Sequence, residues 1–378
     1  MRLLMAPDRI GAGPDDTAAM ASAVDVAAHL AHGWTHARPD DEITAHPMTD
    51  GAAGFLEALA ATLGGEHEAV LARDPWGVEA PTTWLRVGHS AYVEAATRLG
   101  DPQAPDAARL ATEGSSAGVG DVLLAAIRAG VRRVVLGVGA GGTHDAGLGA
   151  LRALAGAAPE VPAEAVLRTA SEVLRDVEVV VAAATLEPLV GLSGAGAALA
   201  GRPGIDAAAA QARELELAGL VATIESAYRA RPSLLLGEGA KEVRASRRPH
   251  TGAGGGVAFA LACAGARVLP GADVVAVETD LAAAVGRADL VLTAGGVLDG
   301  GALDGVPGAV GRVALAALVP AVALAPTVRL SRRELSGTGL EAIYPLTDPP
   351  APGRAAPPVD LATALSRRAS RVARTWSR

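Results

Sequence analysis

The sequence has 378 residues, half of them hydrophobic, and a formal net charge of −8. A chain of this length is expected to form two domains. Because it contains only four Trp, three Tyr and two Phe residues, its cores must be built mainly from Ala, Val and Leu. The acidic balance, with no basic run before the arginine-rich stretch 367–378, argues against nucleic-acid binding, which needs clustered cations.

A cytoplasmic location without a membrane partner is predicted. Cys263 is the single cysteine, which excludes a disulfide framework and fits a reducing compartment. The first residues lack the charged and apolar regions of a signal peptide. The longest uncharged apolar stretch, 313–328, contains two prolines and falls short of the roughly 18 residues that suggest a membrane span.

The first third of the chain alternates strands and helices. Short apolar runs are separated from helix-forming segments by turns rich in Gly, Pro and Asp, an order that indicates a parallel sheet covered by helices. The predicted elements are a strand at 3–6, a turn at 7–16, a helix at 17–36, a strand at 42–45, a turn at 47–54 and a helix at 55–63.

The pattern changes between residues 64 and 91, where Trp76, Trp84 and several prolines occur without a helical period. We expect the chain to cross into a second domain there. Beyond this point, buried strands and glycine turns again alternate with helices. The predicted elements are a helix at 121–129, a strand at 131–138, a glycine-rich turn at 139–149 leading into a helix, a strand at 177–183, a helix at 206–231 and a glycine turn running into a helix at 252–264.

The last third returns to the order of the first. Because these two thirds resemble each other and not the middle, we expect one domain to be inserted into another. The predicted architecture is a doubly wound parallel-sheet α/β domain of residues 1–66 and 282–378, with a second α/β domain of residues 67–281 inserted into it. The predicted elements of the last third are a strand at 290–293, a turn at 294–305, a helix at 310–318, a strand at 321–325, a Pro/Ala linker at 345–358 and a terminal arginine-rich helix.

A glycine-rich pattern follows the predicted strand 131–138. Gly137, Gly139 and Gly142 fit G-x-G-x-x-G, a position at which backbone N–H groups and a helix N-terminus can bind an anion. A nicotinamide dinucleotide site also needs an acidic residue about 20 positions further on, at the end of a strand, whereas Glu160 lies among prolines and alanines. A dinucleotide site, an anion cradle and a purely structural tight turn therefore stay open as interpretations.

Two further patterns have simpler explanations. Residues 114–118 match the G-x-S-x-G nucleophile elbow, but no buried strand precedes them, so a glycine-rich helix start is favoured over a serine hydrolase. His29, His32 and His36 share a helix face at a spacing that zinc could use. The charged residues at 38–42 that follow indicate a solvent-exposed helix end instead, and no resident metal site is predicted.

Four aspartates lie in or beside glycine turns: Asp8, Asp50, Asp145 and Asp299. Each follows a predicted strand or opens a helix. Carboxylates at such positions commonly hold Mg²⁺ or accept a hydroxyl proton in phosphoryl transfer, although any one of them could equally be a helix cap or a turn residue. Their occurrence at four equivalent places points towards phosphoryl-transfer chemistry.

At these turns the sequence resembles the bacterial type I glycerate kinase family. The similar segments occur in the family's order and cover nearly the whole chain, although each one is short. They are A-P-D at 6–8, P-M-T-D-G-A-A-G at 47–54, S-A-G-V-G-D at 116–121, G-A-G-G-T-H-D-A-G-L-G at 139–149, V-A-A-A-T-L-E-P-L at 181–189, G-A-G-G-G-V at 252–257 and T-A-G-G-V-L-D-G-G-A-L-D-G at 293–305.

The resemblance implies a small-molecule kinase that uses ATP and Mg²⁺ and transfers the γ-phosphoryl group to a hydroxyl of D-glycerate. Most of its site residues follow from positions that match the family's motifs, whereas Arg202 is included because it lies beside a lysine position of the family and could replace that charge. Catalytic roles are thereby implied for Asp8, Asp50, Asp145, Asp299 and Arg202, and cofactor-binding roles for Gly139, Gly141, Gly142, Thr143, Gly252 and Gly254.

The chain departs from the family mainly at charged and amide positions, whereas the turn-forming glycines and prolines remain. Gly11 and Val306 stand where the family has lysines, and His144 replaces an asparagine. Phosphoryl transfer depends on neutralising the transferred charge. Either arginines such as Arg9 and Arg202 replace the missing cations, or the chain is an inactive homologue that retains the fold as a binding or regulatory module.

Overall fold

The computed structural model describes residues 1–11, 21–229, 244–300, 304–347 and 360–377. Several of the features predicted above lie partly outside these residues. They are the turn at 7–16, the helix at 17–36, the helix at 206–231, the turn at 294–305, the linker at 345–358 and the terminal stretch 367–378.

Strands occur along most of the described chain and are short, as expected for a helix-covered sheet. They are β1 (Arg2–Met5), β2 (Glu42–Ala45), β3 (Glu66–Arg73), β4 (Glu79–Val87), β5 (Ser90–Glu94), β6 (Arg133–Val138), β7 (Glu178–Ala183), β8 (Arg267–Pro270), β9 (Leu290–Ala294), β10 (Val297–Leu298), β11 (Ala321–Ala325), β12 (Thr327–Val328) and β13 (Ala342–Pro345).

Helices of very different lengths connect these strands. They are α1 (Ala23–Ala37), α2 (Phe55–Leu63), α3 (Ala96–Leu99), α4 (Ala107–Glu113), α5 (Ala117–Arg128), α6 (Leu148–Ala155), α7 (Ala163–Val173), α8 (Ala195–Ala198), α9 (Ala207–Arg229), α10 (Val257–Ala264), α11 (Gly271–Glu278), α12 (Leu281–Gly286), α13 (Val306–Ala317), α14 (Arg332–Leu335) and α15 (Leu361–Trp376). Of the helices in the described ranges, none combines the length and the apolar character needed to cross a membrane.

The chain divides into two compact units. Unit 1 comprises Met1–Asp50, Glu57–Gly64 and Ala272–Arg378, and unit 2 comprises Gly51–Leu56 and Gly65–Gly271. The first and last thirds of the chain share unit 1, because β1 pairs with β9. The domain boundaries expected from the sequence at 66/67 and 281/282 stay a prediction.

Unit 1 contains a five-stranded sheet with the order β13-β11-β9-β1-β2, and every pairing in it is parallel. All residues of β9 and β11 are buried, as expected for central strands that are covered on both faces. Leu3 and Met5 pack in one cluster with α1 and α15, while Leu4, between them, is buried as well. Successive side chains of a strand point to opposite faces, so both faces of the sheet are covered.

The strand order places a reversal between β1 and β9. From β1 the chain adds β2 on one side, and after unit 2 it adds β9, β11 and β13 on the other side. Ligands of open parallel sheets bind beside the carboxyl ends of the strands at such a reversal. A ligand site in unit 1 is therefore expected at the residues that directly follow β1 and β9.

Two helices cover one face of unit 1 and approach each other closely. Helix α1 buries Val26, Leu30 and Trp34, and α15 buries a matching stripe of small and apolar residues. Ser366 Oγ donates a hydrogen bond to His29 O at 3.0 Å. Near this contact, a Cβ atom on Gly33 would lie 2.0 Å from Ser366 O, so the approach of the two backbones depends on glycine.

Unit 2 contains a six-stranded sheet with the order β3-β4-β5-β6-β7-β8. Its last four strands are parallel, whereas β3, β4 and β5 form an antiparallel meander at one edge. The central strands β6 and β7 are buried apart from their first residues. The α/β class with parallel sheets, predicted from the sequence, is confirmed.

The antiparallel meander β3–β5 was not predicted from the sequence, and neither were several other elements, among them α7, β8 and α12. Residues 64–91 show no helical period, and β3 and β4 are mostly exposed or half-buried. An edge hairpin with one solvated face has few fully buried positions, so its hydrophobic alternation is weak. Charged residues such as Glu66, Glu68 and Arg73 further hide the strand pattern.

We expect Gly33→Ala to destabilise the protein by about 1–3 kcal/mol, because the added methyl group must push α1 away from α15. The matched control is Gly219→Ala on the exposed face of α9, where nothing lies within 4 Å of an added Cβ. That change should instead stabilise by about 0.5–1 kcal/mol, the usual preference for Ala over Gly in a helix. Denaturant unfolding measures both changes, and equal effects of the two substitutions would contradict the packing argument.

Candidate functional site

The turns that follow β1, β2 and β9 are joined by backbone hydrogen bonds in unit 1. The Asp8 N–H donates to Ala294 O at 2.9 Å, and the Met48 N–H donates to Pro7 O at 2.8 Å. These bonds continue the pairing of the parallel strands past their carboxyl ends. They hold the turn that carries Asp8 beside the ends of both neighbouring strands, at the reversal in strand order.

Asp8 and Asp50 form a pair of interacting carboxylates at this edge. The Arg9 N–H donates to Oδ1 of Asp8 at 2.8 Å. Burial, and then the charge of Asp50, raise the pKa of Asp8 well above its usual range, and the hydrogen bond and charge of Arg9 offset them only in part. The pair therefore concentrates negative charge in a place that would accommodate a proton or a divalent cation.

Asp299 lies on a different element of unit 1. It follows β10, a two-residue strand that pairs in parallel with β12. This ribbon is separate from the five-stranded sheet. The fold thus brings two of the four predicted aspartates together and places Asp299 on its own ribbon, while Asp145 belongs to unit 2. The catalytic roles assigned to these residues from the sequence stay predictions.

In unit 2, the amides of the turn at 139–149 are largely used inside the protein. The Gly142 N–H donates to Leu99 O at 3.0 Å and to Gly100 O at 2.9 Å, and the Thr143 N–H donates to Leu99 O at 3.0 Å. An N–H group that already donates to a carbonyl is not available to a phosphate oxygen. The anion cradle proposed at this turn therefore cannot use these two amides without breaking the bonds that shape it.

The second glycine turn is held in the same way. The Gly252 N–H donates to Glu187 O at 2.9 Å, and the Gly254 N–H donates to Gly139 O at 2.8 Å. Among the six residues expected to bind a cofactor, Gly139 and Gly141 are the two whose N–H groups donate to no backbone carbonyl in the described part of the chain. Of these six residues, Gly139 and Gly141 are therefore the two whose backbone N–H groups could donate to a phosphate without breaking a backbone hydrogen bond.

Glycine is required where the two turns pack against each other. Gly254 and Gly255 adopt φ values of 63° and 61°, which L-residues with a side chain rarely adopt. A Cβ atom on Gly255 would also lie 1.9 Å from Thr143 O. The glycines of this segment therefore serve the shape of the site, whether or not they touch a ligand.

Asp145 organises the start of two helices. Its Oδ2 accepts hydrogen bonds from Ser116 N at 2.9 Å, from Ser116 Oγ at 2.9 Å and from Gly149 N at 3.1 Å. Its Oδ1 accepts from Gly147 N at 2.9 Å. The Ser116 Oγ in turn accepts from Ala150 N at 3.0 Å. Because four donors surround this carboxylate, the geometry favours a positioning role for Asp145, in contrast to the repelling pair in unit 1.

Arg202 and His144 lie on the outer side of the same turn. Arg202 Nη1 donates to Gly142 O at 2.9 Å, and burial lowers the pKa of Arg202 while Glu187 opposes that effect. Burial, then the positive charges of Arg202 and Arg213, lower the pKa of His144 to about 3. His144 is therefore neutral at ordinary pH, and the turn lies in a positive local potential.

Two residues of this region were not singled out by sequence reasoning. Arg213 Nη2 donates to His144 O at 2.9 Å from within the long helix α9, and Ser116 is the buried partner of Asp145. A lone arginine in a helix gives no sequence signal for a partner 69 residues away. Ser116 lies in the G-x-S-x-G match, which the structure explains as the start of α5.

Within the described ranges, no group of three or more His, Cys, Asp or Glu side chains is placed to hold a metal ion. Asp8 and Asp50 supply two carboxylates. Mg²⁺ is usually held by one or two protein carboxylates together with water and substrate phosphates. This oxygen donor set therefore fits Mg²⁺ that arrives with a nucleotide rather than a resident ion.

Comparison with known proteins adds the family. The sequence profile of the glycerate kinase family matches residues 12–377. An uncharacterised protein of Mycobacterium tuberculosis (strain CDC 1551 / Oshkosh) is 32% identical over 356 residues, covering 92% of this chain and 84% of the relative. Glycerate 2-kinase of Escherichia coli (strain K12) is 26% identical over 355 residues, covering 89% of this chain and 90% of that protein.

A solved structure has the same fold. The crystal structure of a protein provisionally named glycerate kinase 2, from Salmonella typhimurium LT2, is similar with a TM-score of 0.72 and 25% sequence identity. The similarity covers 99% of this chain and 98% of that chain. The shared architecture therefore extends over both units.

We expect Asp8→Asn to stabilise the protein at neutral pH. The pKa of Asp8 is raised in the folded state, so the folded chain binds more protons than the unfolded chain, and stability falls as the pH rises through the interval between the two pKa values. An amide removes this penalty. The midpoint of thermal unfolding should rise by about 2 °C or more, and the gain should disappear below the usual Asp pKa of about 3.9.

The exposed Asp40 provides the control. Asp40→Asn should leave the midpoint at neutral pH close to that of wild type, since the Asp40 side chain is exposed to solvent. A lower midpoint for Asp8→Asn at neutral pH would show that the Asp8 carboxylate stabilises the turn, contrary to this interpretation.

Proposed function

Because the chain belongs to the glycerate kinase family, we propose that it transfers the γ-phosphoryl group of ATP, in its Mg²⁺ complex, to a hydroxyl group of D-glycerate. The observation that carries this proposal is the pair Asp8 and Asp50 at the reversal between β1 and β9. Parallel sheets bind ligands at this position, and phosphoryl transfer needs carboxylates there.

Asp8 is the proposed proton acceptor. A general base works best when its pKa lies near the working pH, and burial together with Asp50 moves the pKa of Asp8 in that direction. In the proposed reaction, the glycerate hydroxyl oxygen forms the new bond to phosphorus as the bond to the β-phosphate oxygen breaks. Asp8 takes the hydroxyl proton, so charge is balanced.

Asp50 is the proposed metal-orienting residue. Bound Mg²⁺ would neutralise charge on the phosphate oxygens. Asp50 would hold the ion from one side, and the negative field of the Asp8–Asp50 pair would favour its binding. Asp299 is proposed as a further orienting carboxylate, from the turn after β10.

The proposed contribution of unit 2 is the binding of phosphate groups. Gly139 and Gly141 are the proposed amide donors, because, of the six residues expected to bind a cofactor, they are the two whose N–H groups donate to no backbone carbonyl in the described part of the chain. Arg202 supplies a positive charge that is held against Gly142. Gly142, Thr143, Gly252 and Gly254 would then shape the site through their backbone bonds. Asp145 would act by fixing the starts of α5 and α6.

The missing lysines at Gly11 and Val306 are the reason to keep a second candidate. A chain that lost these cations without replacement would retain the fold as a binding or regulatory module. We favour replacement, because Arg9 is next to Asp8 and Arg202 lies at the glycine turn of unit 2. A cytoplasmic enzyme acting on a small hydroxy acid is consistent with the acidic sequence and its single cysteine.

A coupled assay of ADP release with Mg-ATP and D-glycerate tests the proposed reaction. Wild type should show glycerate-dependent release, and Asp8→Asn should reduce kcat/KM by about 10²–10⁴-fold, the usual contribution of a general base. Asp40→Asn should retain wild-type activity. If wild type releases no ADP in response to glycerate while ATP still raises its unfolding midpoint, the binding-module alternative is correct.

Arg202→Ala should reduce kcat/KM by at least about tenfold if this arginine replaces a lost cation, because a single electrostatic donor often contributes more than that. The matched control is Arg168→Gln, which changes an exposed arginine of the same unit. The unfolding midpoint of each variant should be measured beside its activity. Undiminished turnover in both Arg9→Ala and Arg202→Ala would show that neither arginine compensates for the lysines.

A further inference from the structure

Unit 2 contains a cavity of about 420 Å³ that the proposed reaction does not use. It lies beside the starts of α5 and α6, along α9 and at the end of β3. Its lining includes none of the glycines expected to bind a cofactor, and Asp145 is its one residue from the predicted site. The volume lies in the range of small-molecule sites, about 300–1,000 Å³.

Three arginines from different elements line this cavity: Arg73, Arg152 and Arg213. Arg73 is neutralised by Asp121, to which it donates at 2.6 and 2.8 Å. Arg213 pairs with the more exposed Glu216 at 3.0 Å. Clustered guanidinium groups repel each other, so their convergence on one space without an anion is unfavourable.

Arg152 has no carboxylate partner among the described residues. Its Nη2 donates to Pro159 O at 2.7 Å, which uses one of its five N–H groups and leaves its charge uncompensated. Two acidic residues line the cavity, Glu113 and Asp145. Glu113 pairs with Arg109 at 2.8 Å, and the Asp145 oxygens accept hydrogen bonds from four donors at the starts of α5 and α6, so neither carboxylate is paired with Arg152. The cavity therefore contains a fixed positive charge that is suited to an anionic group.

A hydroxyl group adds a neutral donor to this site. Ser115 Oγ accepts a hydrogen bond from Ala117 N at 3.2 Å, so its own hydrogen remains for an acceptor. It lies just before α5. Arginine and hydroxyl donors converging in this way suit the several oxygens of a phosphate group.

The remaining wall is apolar. Leu148, Leu217, Leu220 and Ala157 line the same space. An inorganic ion would leave this surface in contact with water, whereas an organic group attached to the phosphate would cover it and gain hydrophobic stabilisation. The positive charge and the apolar wall together therefore favour binding of a phosphorylated organic molecule over binding of free phosphate.

We propose that this cavity is a second ligand site, specific for a phosphomonoester with an apolar body. The cavity lies in unit 2, and its lining does not include Gly139, Gly141, Gly142 or Thr143, to which the proposed reaction assigns phosphate binding. The assignment rests on the charge and shape of unit 2 alone. It therefore stands or falls independently of glycerate phosphorylation.

Isothermal titration calorimetry of the full chain with phenyl phosphate tests the proposal, with inorganic phosphate and benzoate as comparison ligands. Phenyl phosphate should bind at least about tenfold more tightly than either, because each comparison ligand lacks one of the two recognised groups. Benzoate binding as tightly as phenyl phosphate would overturn the phosphate specificity. Absence of saturable phenyl phosphate binding would overturn the site.

Two variants locate the binding. Arg152→Gln removes the uncompensated charge but keeps an amide that can donate to Pro159 O, and Ala157→Trp fills the cavity without changing any charge. Each should weaken phenyl phosphate binding at least about tenfold, whereas Arg168→Gln should not change it. The unfolding midpoint without ligand confirms that each variant is folded, and undiminished binding in both cavity variants would refute the location.

A competition experiment separates this site from the proposed nucleotide site. Saturating Mg-ATP should leave the affinity for phenyl phosphate unchanged. Loss of phenyl phosphate binding in the presence of Mg-ATP, reversed when the nucleotide is removed, would show that the cavity belongs to the nucleotide site and would overturn its assignment as a second one.

Discussion

The repulsion between two half-buried carboxylates at one edge of a parallel sheet is the constraint on which unit 1 depends. Asp8 and Asp50 repel each other and are partly withdrawn from water, so the turns that carry them would separate if they were free to move. The hydrogen bonds from Asp8 N to Ala294 O and from Met48 N to Pro7 O prevent this. The buried strands β1, β9 and β11 hold the two turns rigidly in place. The repulsion between the carboxylates is therefore kept at a position where a bound ligand can relieve it.

Asp145 shows how the same residue type takes a different role in different surroundings. In unit 2 four donors surround its carboxylate, which lowers its energy and fixes the starts of α5 and α6. Asp8 instead accepts from the Arg9 N–H and has a repelling neighbour. Environment, more than identity, separates a reactive carboxylate from a structural one. The sequence pattern predicts the same role for these aspartates, because each lies in or beside a glycine turn. The residues of a turn do not reveal which hydrogen-bond donors the folded chain places around a carboxylate.

The elements that could be predicted from the sequence are those that are fully buried or that have clear turn residues at both ends. The bounds of β2, α2 and β11 agree with the prediction, because clear turns delimit them. Helix α13 begins at Val306 rather than at the predicted 310, and Pro307 lies in its first turn, where proline is tolerated. The meander β3–β5 was not predicted, because one of its faces is solvated and its hydrophobic alternation is therefore weak. At the site, the glycine turns could be identified from the sequence. Which of their N–H groups donate to other backbone carbonyls could not, because the acceptors, such as Leu99 O, are distant in sequence.

The loss of motif lysines does not by itself leave unit 2 without positive potential. The pKa of His144 is lowered to about 3 by burial first and then by Arg202 and Arg213, so both arginines act electrostatically on the glycine turn. Arg202 uses one N–H group on Gly142 O, and a guanidinium has five. A neutral His144 can replace an asparagine as a polar group without adding charge. Arg202 and Arg213 are both held by hydrogen bonds to backbone carbonyls of the glycine turn, which fixes the position of positive charge in unit 2. The two positions at which lysines are missing, Gly11 and Val306, lie in unit 1.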